Sequence, residues 1–427
     1  MIDLARSQAL DALDRVLHGR QPLDAVLGGL HELAGADGAT QAFARRLLTI
    51  TIRRLGQIDD VIGRALERPL PAKARAARNV LRLGAAQILF MEIPDHAAVD
   101  TSVRLFKAVG EGGFAKLVNA VLRRLTREGA DWVAAQDAAR LNTPDWLWRS
   151  WSGAYGETTC RRIAEAHLTP APLDLSVKSD PDAWAERLGG EVVAGASVRL
   201  GNHDAVSSLP GFVDGEWWVQ DAAARLVTGL IGDVRGKQVI DLCAAPGGKT
   251  ASLINAGAHV TAVDRSKTRL ERLESNMRRL GFEAGIVVAD AAQWRPDTLA
   301  DAVLLDAPCS ATGTLRRHPD VAWSKTEDDV AKLAAAQRRL LGAASEMVKP
   351  GGSVLFVTCS LQPEEGPQAA ADHLIEGLSL VPLPFQPAEL AALPDALTPD
   401  GWFRSLPCQL AERGGVDGFF VCRFVRN

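Results

Sequence analysis

Two cysteines stand just past the ends of apolar, strand-like runs. Cys309 lies in Asp306-Ala-Pro-Cys-Ser310 after Ala302-Val-Leu-Leu, and Cys359 lies in Thr358-Cys-Ser360 after Ser353-Val-Leu-Phe-Val. Strand ends on one edge of a sheet open into one crevice, so thiols far apart in the chain can share a pocket. A third stretch belongs to the same edge: Asp241-Leu-Cys-Ala-Ala-Pro-Gly-Gly-Lys-Thr250, which comes after the strand-like run Gln238 to Leu242 and enters a helix-like run from Thr250 to Asn255. Gly247 and Gly248 carry no Cβ, so backbone there can approach a ligand closely, and a helix start beyond them suits a nucleotide-sized group.

Two familiar glycine-rich readings of that loop fail. The dinucleotide fingerprint G-x-G-x-x-G is absent, and a Walker loop ending at Gly248-Lys249-Thr250 needs glycine at position 243, where Cys243 stands. A loop for S-adenosylmethionine is the reading that remains. Thiols beside a methyl donor suggest a specific chemistry. Carbon 5 of a pyrimidine is a poor nucleophile; a thiolate added at carbon 6 turns the ring into an enamine whose carbon 5 can attack a sulfonium methyl. A base must then remove the carbon 5 proton so that the thiolate can leave, and an acid is needed at ring N3 during addition, for which Asp306 is placed. Spacing does not say which cysteine attacks. A base must also be unstacked before such chemistry can reach it.

The elements that would position these groups alternate. Strand-like runs end in acids at Asp241, Asp264 (Val260-Thr-Ala-Val-Asp), Asp290 (Gly285-Ile-Val-Val-Ala-Asp) and Asp306, with helix-like runs at 266–280, 326–348 and 364–376. That alternation is the mark of a mostly parallel sheet covered on both faces. Asp264 falls roughly twenty residues after the loop, where doubly wound folds place a carboxylate on ribose hydroxyls. Gly401-Trp-Phe403 and Asp417 to Phe424 read as a closing antiparallel pair.

Upstream the pattern changes. Residues 1–140 carry apolar positions at three and four spacing (Ala9, Leu10, Leu13, Val16, Leu17; Phe43, Leu47, Leu48), with breaks at 19–22, 35–38, 68–71, 92–94 and 110–113, and predict a helical bundle. Residues 141–234 predict a linking segment, helical at first with Trp146, Trp148 and Trp151 as packing residues, then a small α/β part from Leu173 that includes Trp217-Trp218-Val-Gln-Asp221. Residues 235–427 form the expected catalytic domain.

At 427 residues, two or three domains are expected. A hydrophobic content of 47% with 23% charged residues suits a soluble globular chain, and the absence of a leader-like start or a membrane-length apolar run makes a cytoplasmic protein the expectation. The six cysteines contain no C-x-x-C pair, so no metal site is signalled and free thiols are expected. Of the charges, residues 1–140 hold 20 Lys+Arg against 16 Asp+Glu although the whole chain is at -4. Any electrostatic grip on nucleic acid therefore belongs to the front end, where arginines cluster at 45/46, 53/54, 75/78/82 and 123/124/127.

Leu83-Gly-Ala-Ala-Gln-Ile-Leu-Phe90, Ile93-Pro-Asp-His-Ala-Ala-Val99 and Leu117-Val-Asn-Ala-Val-Leu-Arg-Arg124 resemble the NusB-like RNA-binding helical domain. Asp241 to Thr250, Asp306 to Ser310, Arg316-Arg-His-Pro-Asp320 and Thr358-Cys-Ser360 together resemble the RNA cytosine-5 methyltransferases of the NOL1/NOP2/Sun type, and with the front end the RsmB (Sun/Fmu) family. The resemblance implies an all-α NusB-like domain followed by a Rossmann-like class I S-adenosylmethionine-dependent methyltransferase with a small α/β linking subdomain. It implies methylation of cytosine 967 in free or partly assembled 16S rRNA, by a monomer that needs no metal or membrane. It further implies Cys359 as nucleophile, Cys309 as the residue assisting release, and cofactor contacts from Cys243, Ala244, Ala245, Pro246, Gly247, Gly248, Lys249, Asp264, Asp290 and Asp306. Gln220-Asp221 would pack beside the cofactor. Arg316, Arg317 and His318 are candidates for the phosphates flanking the target base, and Lys249 for a similar contact. Transfer to nitrogen or oxygen, action on another RNA such as tRNA, and a non-catalytic RNA-binding factor are the competing readings.

Overall fold

The computed structural model describes residues 3–30, 38–109, 113–201, 205–375 and 379–427. The chain divides into two compact units: residues 1–169 with 315–325, and residues 170–314 with 326–427. The first boundary therefore falls at 169/170 and not at 140. The expected linking segment is not a unit of its own, because 141–169 continue the helical bundle while 170–234 join the sheet-bearing unit. The breaks expected at 35–38 and 110–113 lie almost wholly outside the described residues.

The first unit is helical, from α1 (Leu4–Leu17), α2 (Leu23–Leu30), α3 (Gly38–Arg53), α4 (Leu55–Ala65) and α5 (Arg75–Phe90) through α6 (Asp95–Val109), α7 (Ala115–Ala134), α8 (Ala138–Leu141), α9 (Asp145–Tyr155) and α10 (Glu157–His167). The apolar stripes meet in one core that includes Leu13, Leu47, Ile58, Val80, Leu122 and Leu125. Asp3 caps α1 by accepting the Arg6 amide at 3.0 Å, a contact that contributes about 1 kcal/mol. Trp148 and Trp151 are buried, and Trp151 packs against His167 at 5.4 Å between ring centroids, so the tryptophan cluster is packing as expected.

The second unit opens with a small antiparallel sheet of β1 (Leu173–Val177), β2 (Glu191–Val193), β3 (Ser197–Leu200) and β4 (Trp217–Val219), in the order β2-β3-β1-β4, with α11 (Pro181–Leu188) between its first two strands. Asp174 on β1 and Arg199 on β3, each side chain only 3% exposed, form a bidentate pair at 2.7 Å for both bonds. Asp174 also accepts the Ala222 amide at the start of α12 (Ala222–Gly229), which ties the small sheet to the helix leading into the main sheet.

The main sheet is built from β5 (Gln238–Leu242), α13 (Gly248–Asn255), β6 (His259–Asp264), α14 (Lys267–Leu280), β7 (Gly285–Val288), β8 (Ala300–Asp306), α15 (Val321–Ser324, within the first unit), α16 (Glu327–Met347), β9 (Val348–Thr358), α17 (Pro367–Ile375), β10 (Leu380–Pro382), β11 (Phe403–Arg404) and β12 (Phe420–Arg426). Its order is β10-β12-β9-β8-β5-β6-β7, with β11 on β12. β5 to β9 are parallel, β12 runs antiparallel beside β9, and β11 pairs antiparallel with β12 through Phe403 and Val421, as the closing pair predicted. Val303, Leu304 and Leu305 on β8 are fully buried, each worth about 1.5–3 kcal/mol over an exposed side chain. The chain winds outward from β5 through β6 to β7, then crosses back to lay β8 on the other flank of β5. The reversal opens a crevice at the carboxyl ends of β5 and β8, the place where such sheets bind ligands. Strand ends β9, β8, β5 and β6 then lie in a row, with Asp306 opposite Val357, Leu242 opposite Leu305 and Val263 opposite Leu242.

Candidate active site

That row brings the two thiols together. Cys309 and Cys359 lie with Sγ atoms 3.3 Å apart, in hydrogen-bonding contact. Next along the row, Lys249 Nζ donates to Asp306 Oδ2 at 2.7 Å. The lysine side chain is 12% exposed and the aspartate 30%, so the pair sits at the floor of the crevice with the carboxylate on the open side. Burial acts to lower the Lys249 pKa, but the Asp306 charge and hydrogen bond outweigh it and leave the ammonium raised, with the Cys359 charge adding to the effect. The phosphate contact expected of Lys249 is thus corrected: its charge is committed to Asp306, a pairing without a local signal because only strand order joins the two.

Cys309 holds its proton firmly. The hydrogen bond with Cys359 raises its pKa most, followed by burial and then the charges of Cys359 and Glu365. Cys243, at φ 61° in the loop, is pushed up to about 12 by burial with Asp306, Asp264 and Asp241 nearby. Cys160 is pushed up to about 11 by burial, and Cys422 is likewise raised by burial, so neither buried thiol is reactive.

The loop between β5 and α13 has the shape its glycines allow. Gly247 takes φ 101°, and a Cβ there would sit 2.8 Å from Leu273 Cγ. Asp264 accepts the Ala245 amide at 3.3 Å and the Ser266 amide at 2.9 Å, and pairs with Arg269 at 3.2 Å. Asp290 lies in the turn two residues beyond the end of β7, exposed, with Oδ1 accepting the Ala292 amide at 3.0 Å.

Two buried polar atoms beside this loop test whether S-adenosylmethionine fits. Asp241 accepts Thr250 Oγ1 at 2.6 Å through Oδ2, while its Oδ1 takes no hydrogen bond from the described residues. Gln220 accepts from Ser176, Trp218 and Ser252 through Oε1, at 2.7, 3.0 and 2.8 Å, which leaves Nε2 buried without an acceptor among the described residues. A Cβ added to Gly248 would lie 3.8 Å from that nitrogen. Unsatisfied buried groups of this kind are costly without a partner. One spare acceptor and one spare donor suit the ammonium and carboxylate of an amino-acid end, so the residues fit the donor. Asp221, beside Gln220, is the N-cap of α12, accepting the Ala223 amide at 2.8 Å.

Of the three candidate phosphate contacts, Arg317 is exposed, His318 faces Asp24 at 3.4 Å, and Arg316 is enclosed at 1% exposure. Arg316 is therefore corrected as a surface contact: in its segment Arg53 Nη2 holds the Arg316 carbonyl at 2.7 Å, Trp323 donates to the Ile52 carbonyl at 3.1 Å, and Asp320 accepts the Leu23 amide at 3.0 Å. Buried hydrogen bonds to residues so distant in sequence leave no local signal.

Sequence reasoning also missed the groups that hold the thiols. Glu365, fully buried, accepts the Ser310 amide at 2.8 Å, the Ser310 hydroxyl and the Ser360 hydroxyl at 2.6 Å. Gln337 on α16 donates to the Pro308 carbonyl at 3.0 Å and accepts the Gly366 amide at 3.1 Å. The repeated Cys-Ser pair was the available hint, since a serine beside each thiol invites a shared acceptor.

A parallel sheet reversing at β5, with an acidic strand end at each side and a glycine turn between, is the fold of an S-adenosylmethionine-dependent methyltransferase. The family described as 16S rRNA methyltransferase RsmB/F matches residues 231–425, and the NusB family matches residues 3–127. The chain belongs to the ribosomal RNA small subunit methyltransferase B family: it is 34% identical to that protein of Salmonella paratyphi B over 99% of this chain and 98% of the relative, and 36% identical to that of Erwinia tasmaniensis over 84% and 87%. Among solved structures, PH0851 shares the fold with a TM-score of 0.78 at 21% identity over 98% of this chain and 99% of its own. A methyltransferase homologue from Pyrococcus horikoshii aligns at TM-score 0.54 and 25% identity, over 65% and 94%. The chain is thus an rRNA methyltransferase, and the methyl donor of its family is S-adenosylmethionine.

Proposed function

We propose that the protein, acting in the cytoplasm, methylates carbon 5 of a cytosine in 16S rRNA, cytosine 967, through a covalent bond between Cys359 and ring carbon 6. The observation that carries this reading is the pair of thiols 3.3 Å apart beside the Lys249–Asp306 pair. Methylation of nitrogen or oxygen has no use for two thiols at that spot.

In this reading the Cys359 thiolate adds at carbon 6, forming the S–C bond, while the ring π electrons shift toward N3. Asp306 delivers a proton to N3, with the Lys249 ammonium at 2.7 Å as its source. Carbon 5 is then an enamine carbon. When bound, S-adenosylmethionine supplies an electrophilic sulfonium methyl for it. Asp241 and Gln220 would hold the amino-acid end of the donor, the backbone from Cys243 to Lys249 would line its site, and Asp264 and Asp290 would take its nucleoside part. Once carbon 5 is methylated, Cys309, which has given its own proton to solvent after Cys359 became a thioether, removes the carbon 5 proton as a thiolate, the electrons re-form the C5–C6 double bond, the S–C bond breaks to release Cys359 as thiolate, and N3 returns its proton.

Labelled S-adenosylmethionine and unmethylated small-subunit RNA, mixed with wild type, Cys359→Ala and Cys309→Ala, test the scheme. The expected pattern is 5-methylcytosine from wild type, no transfer by Cys359→Ala, and an accumulated protein–RNA adduct with Cys309→Ala. An adduct from Cys359→Ala would exchange the two roles, and transfer that survives Cys359→Ala would overturn covalent catalysis.

A further inference from the structure

The covalent scheme needs Cys359 ionised and Cys309 protonated at the start, then Cys309 ionised once the adduct is methylated. Two thiols 3.3 Å apart do not arrange that unaided, because they are chemically alike and face the same crevice. The asymmetry has to come from the groups behind them.

Glu365 stands behind both. It accepts from Ser310, next to Cys309, through the backbone amide at 2.8 Å and through the hydroxyl, and from Ser360, next to Cys359, at 2.6 Å. Gln337 Nε2 lies 3.4 Å from the same carboxylate, and Thr312 Oγ1 closes the cluster at 3.2 Å from Ser360 and 3.4 Å from Ser310. The amide, hydroxyl and Gln337 donors all point at Glu365, and a carboxylate that accepts several hydrogen bonds is held in its charged form. A buried negative charge behind the Cys309 loop opposes a second negative charge on Cys309, and Glu365 is among the groups that raise this thiol.

We propose that Glu365 is a positioning residue of the transfer reaction: it clamps the Cys309 and Cys359 loops in contact and, through its buried charge, sets how readily Cys309 gives up its proton once Cys359 has become a neutral thioether. The proposal rests on the covalent reading above. Its logic is sequential. While Cys359 is a thiolate, its charge and hydrogen bond hold the Cys309 proton; when the S–C6 bond forms, both are lost, and Glu365 is the charged group still restraining Cys309. Release therefore depends on the Glu365 charge, whereas formation of the adduct depends on the Glu365 hydrogen bonds.

Glu365→Gln separates the two, since an amide can keep the contacts by letting the serine hydroxyls accept in place of donating, while the charge is gone. In single-turnover reactions with S-adenosylmethionine and small-subunit RNA, the denaturant-stable adduct and the methylated product are followed across pH 6 to 9. For Glu365→Gln, adduct formation is expected within about threefold of wild type and the pH profile of adduct decay displaced to lower pH by about one unit, a tenfold change in thiol ionisation. Glu365→Asp keeps the charge but shortens the reach, so its decay profile should sit at the wild-type pH with adduct formation slowed by about tenfold or more, a cost on the scale of small misplacements in an active site. Decay profiles of wild type and Glu365→Gln that superimpose would overturn the proposal, as would a displaced profile for Glu365→Asp if the glutamine variant does not fold. Absence of any adduct from Cys309→Ala, run alongside, would instead sink the covalent reading itself.

Discussion

At the residue scale, the site is governed by carboxylates placed where water is scarce. Asp241 is raised from the usual 3.8 to about 7, chiefly by burial, with Thr250 opposing the shift and Asp306 adding to it. A carboxyl whose folded pKa lies above its unfolded value binds its proton more tightly when folded. Its contribution to stability is then complete below about pH 4 and is lost as pH rises through about 7. Without S-adenosylmethionine, the melting temperature of wild type should fall between pH 5 and 8 relative to Asp241→Asn, as thermal denaturation would show; parallel curves would mean that Asp241 is ionised in the folded chain. The Lys249–Asp306 pair makes a kinetic prediction. Asp306→Asn should slow single-turnover methylation by about 10²–10⁴, the usual worth of a placed proton donor. Lys249→Met should slow it too, with the loss of proton supply showing as a changed pH profile in rapid-quench assays.

At the element scale, packing between segments carries the prediction. Asp174 and Arg199 join β1 to β3 as a fully buried pair, and Asp174 also anchors α12, whose N-cap neighbour Gln220 lies beside the donor loop. Asp174→Ala leaves the Arg199 charge buried without its partner, and should cost about 3–5 kcal/mol by denaturant melting. Gly313 makes a second case: its amide donates to the Cys359 carbonyl at 2.9 Å, its carbonyl accepts the Gly418 amide at 2.8 Å, and a Cβ there would lie 2.0 Å from the Gly418 oxygen. Gly313→Ala should therefore destabilise the unit by about 1–3 kcal/mol and slow adduct formation by spreading the two cysteine loops. The helix expected from 326 starts at Glu327, with Thr326 and Asp329 forming its capping box. Strand β7 was not delimited as well. It ends at Val288, so Asp290 stands in the turn and not on the strand, because exposed edge positions such as Val288 carry no burial pattern to mark where pairing stops.

At the scale of the whole molecule, the front-end arginines matter for how RNA is held. Most of the clustered ones are committed to the protein itself. Arg53 binds carbonyls of His167 and Arg316, Arg82 takes both oxygens of Asp59, Arg78 binds the Leu70 carbonyl, and Arg124 pairs with Glu128. Arg46 and Arg123 are exposed. Arg46→Ala and Arg123→Ala should each flatten the slope of log affinity against log salt by about 0.7–0.9 for RNA, while Arg82→Ala should lower stability and leave the slope alone. Filter binding across a salt series checks both. Among the described residues no helix is long and apolar enough to cross a membrane.

The sequence determined the features that are written locally. Helical spacing marked the bundle, strand-like runs ending in acids marked the parallel sheet, the Gly-Gly turn after Asp241 marked the donor loop, and Cys309 and Cys359 were recognisable as strand-end thiols. Such signals are local because they arise from backbone sterics and from the period of one element. Only the tertiary structure decided which groups meet. Strand order, with β8 returning to the flank of β5, set Lys249 on Asp306 and Cys309 on Cys359, and the fold placed Glu365 behind both serines and closed Arg316 away. Those contacts join residues separated by tens to hundreds of positions, and hydrogen bonds and charge in a buried crevice depend on distance in space, which a linear pattern does not encode.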